Sequence, residues 1–512
     1  MIEPTSSAVD DPTGEPASPG IGLALSGGGV RATLFSLGVA IALIETGANQ
    51  WVRSITSVSG GSLLNAWLAH AGDFASMESP AGFQAGKLAR MLSHGGVFAW
   101  SPLNIGKVIG KAIGLIPSMV GAAVALATVA SLLEKEERPA FVDVGIQNMV
   151  RLVGLVPPLA WLYVAVTLAV FLMFLLRGRW QEAIFAVKLG ELTGTSRNKL
   201  TDFATSKVQH VLVSTDLHSG CPVYFSKDFV HCEHHGWSEP RDLRTAAALY
   251  ASAAFPVVFP PRRLRVKDFE FRNGKAGELP DLALADGGVY NNLGDDWFDE
   301  RENQVEAYSP YGALPLDPDA VREPIHTRII VNAGAPSQPI TRLYPGMTTL
   351  RTMSVLYDNT VRPRVAQIPS RHGLLLDIKY SPRELADGVG EPPGPKADRA
   401  KRIAKHLGKR EEQFWAQLKE ETAGTPTKLS GAGWRTAAAL MHHGYLSAVV
   451  LLWTEYGESL PRLKQLRDGK GAWPLSPEDP FRLKDEKYFL DLARGAVDTE
   501  SKKPATAPAP AA

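Results

Sequence analysis

Cysteine is nearly absent from this chain. Two thiols, Cys221 and Cys232, among 512 residues argue against a disulfide-stapled secreted scaffold and fit a reducing compartment. An excess of either charge is missing too, with 54 Lys and Arg against 53 Asp and Glu. With no basic block and no nucleic-acid-binding signature, nothing points to nucleic acid as a partner. The first twenty residues are rich in Pro, Ser, Gly and acid, without a basic stretch leading into an apolar core, so no signal peptide is expected. Residues 1–20 and the Ala/Pro-rich 501–512 read as disordered ends. A nucleotide-binding loop is lacking as well. The glycine run Gly27-Gly28-Gly29-Val30-Arg31 has neither a Gly-Lys-Ser/Thr ending nor Gly-x-Gly-x-x-Gly spacing. His231, Cys232, Glu233, His234 and His235 are too closely spaced to converge on one ion. They read as a solvated loop, and no metal is expected.

Long uncharged runs, by contrast, are present. Ala112–Leu133 and Leu152–Leu176 hold no Asp, Glu, Lys or Arg over 22 and 25 residues. At about 1.5 Å per residue, each can cross a hydrocarbon core of roughly 30 Å as a helix. Pro117 and Pro157-Pro158 lie near the N-terminal ends of these runs, and Trp161, Tyr163 and Trp180 suit interface anchors. A transmembrane hairpin is therefore expected. Flanking it, Lys107, Lys111, Arg177, Arg179 and Lys188 outnumber Lys135, Arg138 and Arg151 in the connection, which favours a cytoplasmic main domain. The nine-residue run Tyr445–Trp453 is too short to span and reads as a core helix.

Around this insertion lie the parts of an acyl-transfer site. Ile21–Ser26 reads as a buried strand, the three glycines as a turn, and Val30–Glu45 as a helix with Leu34, Leu37, Ile41 and Ile44 at helical spacing. Such a junction exposes backbone N–H groups to an anion, although a tight structural turn has the same appearance. The pattern repeats: Trp51–Thr56 a strand, Ser57-Val58-Ser59-Gly60-Gly61 a turn, Ser62–His70 a helix. A serine on a small-residue strand-to-helix turn is the setting of an exposed nucleophile. Further on, Ala247–Arg262 reads as a small-residue helix broken at Pro256. Leu282–Ala285 reads as a strand ending in Asp286-Gly287-Gly288. A carboxylate there is placed to take the proton of Ser59, with Asn291 and Asn292 as buttresses, although a plain turn has the same appearance. Residues 351–364 read as a polar-faced helix of no assigned role, and 398–460 as largely helical.

Taken in order, the glycine run, the Ser59 pentapeptide, ASAAFPVVFPP (251–261) and Asp286-Gly287-Gly288 resemble the patatin-like phospholipase family over about 20–100 and 190–375. The resemblance implies a three-layer α/β/α sandwich and a Ser–Asp dyad without a catalytic histidine. It makes Ser59 the nucleophile and Asp286 the base. The N–H groups of Gly27, Gly28 and Gly29 become the oxyanion hole. Arg31 supports that loop or draws in a phosphate, while Gly61, Gly287 and Gly288 shape the two turns. No cofactor is implied. Three positions depart from the family pattern, with Ser57, Ser26 and Ala32 in place of Gly, Asp and Gly. The expected α/β organisation is 21–100 for the nucleophile half, 101–185 for the inserted hairpin, 186–375 for the Asp half and 376–500 for a helical C-terminal part. The expected function is a membrane-anchored serine acyl hydrolase acting on glycerophospholipid or related esters of the bilayer. Acyl transfer to an alcohol, or a non-catalytic lipid- or partner-binding role, are the alternatives.

Overall fold

The chain divides into two compact units, Met1–Phe98 with Gln181–Ala512, and Ala99–Trp180. A computed structural model describes residues 19–95, 178–204, 206–256, 259–274, 280–300, 325–334, 348–371, 373–388, 394–407, 412–427, 430–462 and 484–495. The expected spans 112–133 and 152–176 lie outside the described residues.

The first unit is built on one mixed sheet. Its strands are β1 (Ile21–Leu25), β2 (Val52–Val58), β3 (Gln209–Asp216), β4 (Pro222–Phe225), β5 (Val230–Cys232), β6 (Gly236–Ser238), β7 (Arg262–Leu264), β8 (Arg272–Asn273), β9 (Leu282–Asp286), β10 (Thr327–Asn332) and β11 (Gly373–Asp377). They run in the order β11-β10-β1-β2-β3-β4-β5-β6-β8, with β9 on β3 and β7 on β9. From β11 to β3 all pairings are parallel, and from β3 outward all are antiparallel. β1 is central and buried on both faces, so its sequence IGLAL is continuously apolar.

Side-chain alternation separates the two covering layers. Leu23, Leu25, Ile329, Val331 and Leu212 join one apolar cluster; Ala24, Ile330, Val211 and Val213 join the other. The first cluster is capped by α1 (Gly29–Thr46), α2 (Gly60–Ala71) and the helix Trp434–Tyr456. The second is capped by Trp297, Phe298 and Ile368, with Val361 and Val365 of the helix Thr348–Gln367 packed against it. The fold is a three-layer α/β/α sandwich with a helical C-terminal region.

Two helices among the described residues are long and apolar enough to cross a membrane, Gly29–Thr46 and Trp434–Ser459, yet 94% and 89% of their windows are buried. They cover each other instead. A Cβ on Gly38 would stand 2.0 Å from the Met441 carbonyl oxygen, and one on Gly444 would stand 2.0 Å from that of Phe35. Only glycines permit backbones to cross this closely. The run Tyr445–Trp453 thus lies in a core helix, although that helix is longer than the run itself.

One expectation fails outright. Residues 231–235 are no solvated loop but the bend of a β5–β6 hairpin, in which His231, Cys232 and His235 are buried. His231 stacks on Tyr224 and on Trp237 with ring centroids 5.9 and 4.4 Å away. Burial lowers its pKa to about 4. Aromatic cover, supplied from outside the segment, turned polar residues inward.

Candidate active site

β2 runs two residues beyond its expected end, through Val58, and α2 begins at Gly60. The whole reversal therefore falls on Ser59, whose φ of 51° and ψ of −116° are unfavourable for a side-chain-bearing residue, by roughly 1–3 kcal/mol. The small neighbours make the turn possible, since a Cβ on Gly60 would lie 2.1 Å from the Gly29 carbonyl oxygen. A Cβ on Gly61 would lie 2.5 Å from the Leu25 carbonyl oxygen. Ser59 thus stands at the N-terminus of α2, where the helix dipole favours negative charge. Ser57, which replaces a glycine of the family pattern, is held inside the strand. Its hydroxyl accepts from Asn65 Nδ2 at 2.8 Å and Ser62 Oγ at 3.1 Å.

Asp286 reaches Ser59 by an indirect route. β2 pairs with β3 up to Val58↔Val213, and β9 pairs with β3 from Ser214↔Asp286 onward. β4 occupies the other edge of β3 over Leu212–Thr215, so β2 and β9 share one edge and meet end to end. The strand between serine and aspartate is therefore β3, which carries both. The Ser59 side chain adjoins the Asp286 carboxylate, and Gly288 N–H donates to Asp286 Oδ1 at 2.8 Å; both favour the ionised form. Burial outweighs these two influences and raises the Asp286 pKa from 3.8 to about 6. Among the described residues, no histidine contacts this carboxylate.

A residue that sequence reasoning passed over locks the junction. The carbonyl of Ser252, which ends the helix Thr245–Ser252, accepts from both Ser59 N–H and Gly287 N–H at 3.2 Å. Its hydroxyl accepts from Ser59 N–H at 3.1 Å and donates to the Val213 carbonyl at 2.6 Å. Two residues on, the Ala254 carbonyl accepts from Asp286 N–H at 3.0 Å. The only hint was position: Ser252 lies inside the ASAAFPVVFPP segment.

The glycine run leads from β1 into α1 beside Ser59, and a Cβ on Gly27 would come within 3.2 Å of Ser59 Cβ. The Gly27 N–H is already given to the Asn292 carbonyl at 3.1 Å, whereas those of Gly28 and Gly29 have no acceptor among the described residues. Ser26, in place of the family's Asp, accepts from Ala333 N–H at 2.8 Å and ties the loop to β10.

Arg31 is 1% exposed and turned into the protein. Nε donates to the Ala333 carbonyl at 2.8 Å, one terminal nitrogen donates to the Thr425 carbonyl at 2.5 Å, and the other donates to Thr427 Oγ1 at 3.1 Å. Burial lowers its pKa to about 10. Of the two roles open to it, this geometry serves loop support. Gly287 packs on the Val213 carbonyl. Asn291 bonds Asp295 and Asp296 at 2.7 and 2.8 Å, and the Asn292 side chain is wedged between Gly27 and Gly288.

A family model described as patatin-like phospholipase matches residues 23–294, more than half of the chain. Among solved structures, the chain is similar to VipD from Legionella pneumophila, at 12% identity over 94% of this chain and 90% of that one, with a TM-score of 0.23. It is also similar to human GIVD cytosolic phospholipase A2, at 12% identity over 88% of this chain and 60% of that one, with a TM-score of 0.36. No curated protein matches its sequence. On the family match, the chain belongs to the patatin-like phospholipases and is a lipid acyl hydrolase.

Proposed function

We propose that the chain hydrolyses acyl esters of membrane glycerophospholipids through a Ser59–Asp286 dyad. The juxtaposition of a strained serine and a buried carboxylate whose pKa is raised to about 6 carries this reading. A base is most effective when its pKa lies near the working pH. Ser59 Oγ attacks the ester carbonyl as its proton passes to Asp286. The carbonyl oxygen takes up negative charge facing the Gly28 and Gly29 N–H groups, and each such donor typically contributes about 2.7–4 kcal/mol. Asp286 then returns the proton to the departing alcohol oxygen, leaving an acyl-Ser59. Water repeats the sequence and frees the fatty acid.

The uncharged spans 112–133 and 152–176 would hold the domain at its substrate, on the cytoplasmic side of a bilayer, and raise local substrate concentration. Resistance of the membrane-bound protein to alkaline carbonate extraction, lost on deleting residues 101–176, tests this anchoring.

Incubation of detergent-purified protein with a fluorophosphonate probe tests the chemistry. Wild type should label covalently and Ser59→Ala should not, with phospholipid hydrolysis falling at least about 10³-fold in the variant. A folded wild type that takes no label would instead favour a lipid-binding module.

A further inference from the structure

The helix Thr348–Gln367 has no part in the dyad, yet it lies against the loop that carries Asp286. Its C-terminal half is fixed. Arg364 pairs with Asp296 and lies over the Tyr290 ring, 5.4 Å from the centroid. Val361 and Val365 pack on the second apolar cluster. Tyr357 stands two turns before Arg364, on the same face of the helix. Its ring leans on Gly288, where a Cβ would stand 2.4 Å from Tyr357 Cε1. On another side, the Phe255 ring lies 5.5 Å away, centroid to centroid. The last glycine of Asp286-Gly287-Gly288 is thus required by the tyrosine that presses on it.

The Tyr357 hydroxyl is buried and has no hydrogen-bond partner among the described residues. Leaving a buried hydroxyl unmatched is unfavourable by about 1–3 kcal/mol, and the ring that carries it rests on the glycine two residues beyond the proposed base. Burial and the nearby Asp286 charge push the phenol pKa well above its ordinary value of 10. The group therefore keeps its proton and is able to donate it in a hydrogen bond.

Resting on the dyad reading above, we infer that the Tyr357 hydroxyl donates a hydrogen bond to the departing alcohol oxygen of a bound glycerol ester. The leaving oxygen must come to Asp286 to receive the proton taken from Ser59, and this brings it to the loop on which Tyr357 leans. In that step the bond from Ser59 Oγ to the acyl carbon has formed and the bond from that carbon to the alcohol oxygen breaks. The proton on Asp286 moves to that oxygen. Tyr357 shares its own proton throughout and gives none up. Its contribution grows with the basicity of the leaving oxygen, so it selects for alkyl esters such as those of glycerol over activated aryl esters.

The experiment compares wild type with Tyr357→Phe on an alkyl ester and a p-nitrophenyl ester of the same acyl chain, reading kcat/KM, which reports acylation. Fluorophosphonate labelling of both proteins serves as the control for an assembled dyad. The expected result is a loss on the alkyl ester larger than that on the aryl ester by roughly 10- to 100-fold, with both proteins labelled. Equal losses on the two esters, or none, would overturn the inference, as would a folded Tyr357→Phe that no longer labels. A folded wild type that does not label would sink the dyad reading first and this inference with it.

Discussion

The two halves of the candidate site carry their unfavourable free energy in different forms. At Ser59 it resides in the backbone, with φ at 51° and no freedom for neighbouring side chains. At Asp286 the backbone is relaxed, with Gly287 in an ordinary right-handed conformation (φ −60°, ψ −25°). There the unfavourable term is electrostatic, a carboxylate 1% exposed with a raised pKa. Strain in the turn exposes Ser59, and desolvation raises the proton affinity of Asp286. One carbonyl, that of Ser252, holds both halves together.

Asp286→Asn should give the largest effect. The amide keeps an acceptor for Gly288 N–H but cannot take a proton, so phospholipid hydrolysis should fall by roughly 10²–10⁴-fold. The same change should stabilise the fold. A shift from 3.8 to about 6 amounts to as much as about 3 kcal/mol at pH 8, readable in urea unfolding. A destabilised variant would show that Asp286 is a structural residue.

A second effect separates activity from stability by pH. The folded pKa of Asp286 lies above its unfolded value, so its contribution to stability is fully present below 3.8 and lost as pH rises through about 6. Activity should run the other way, because only the ionised carboxylate accepts the serine proton. Below pH 6, kcat/KM should drop about tenfold per pH unit, and it should level off above. A profile flat from pH 4 to 8 would remove Asp286 from the reaction.

Ser252→Ala should give the smallest effect. It deletes the hydroxyl bonds to Ser59 N–H and the Val213 carbonyl while leaving the shared carbonyl in place. Stability should fall by about 1–3 kcal/mol and kcat/KM by about tenfold, through misplacement of the serine. If Ser59→Ala loses as much stability when Ser252 is also replaced, the two positions act independently.

Local order was legible in the sequence wherever a short segment determines its own shape. The β1–α1 and β2–α2 junctions and the Asp-Gly-Gly at the end of β9 show in apolar runs broken by small residues. What escaped depends on partners distant in the chain. No pattern within 282–288 shows that β9 meets β2 end to end, because that follows from β4 occupying the other edge of β3. The role of Ser252 rests largely on a carbonyl, which every residue has. Tyr357 read as part of a polar-faced helix because nothing near it in sequence reveals Gly288 beneath its ring. The hairpin around His231 was misjudged for the same reason, since Tyr224 and Trp237 bury it from flanking strands.

The crossing of Gly38 and Gly444 ties together residues made at opposite ends of synthesis. At about 5–20 residues per second, roughly 20–80 s separate their emergence from the ribosome. During that interval α1, apolar enough to enter a membrane, has no helix over the face that Gly38 occupies. The nascent chain must be shielded by a chaperone or held short of its final packing until the segment 434–456 arrives. Completion of this domain is thus timed by translation of its C-terminal region.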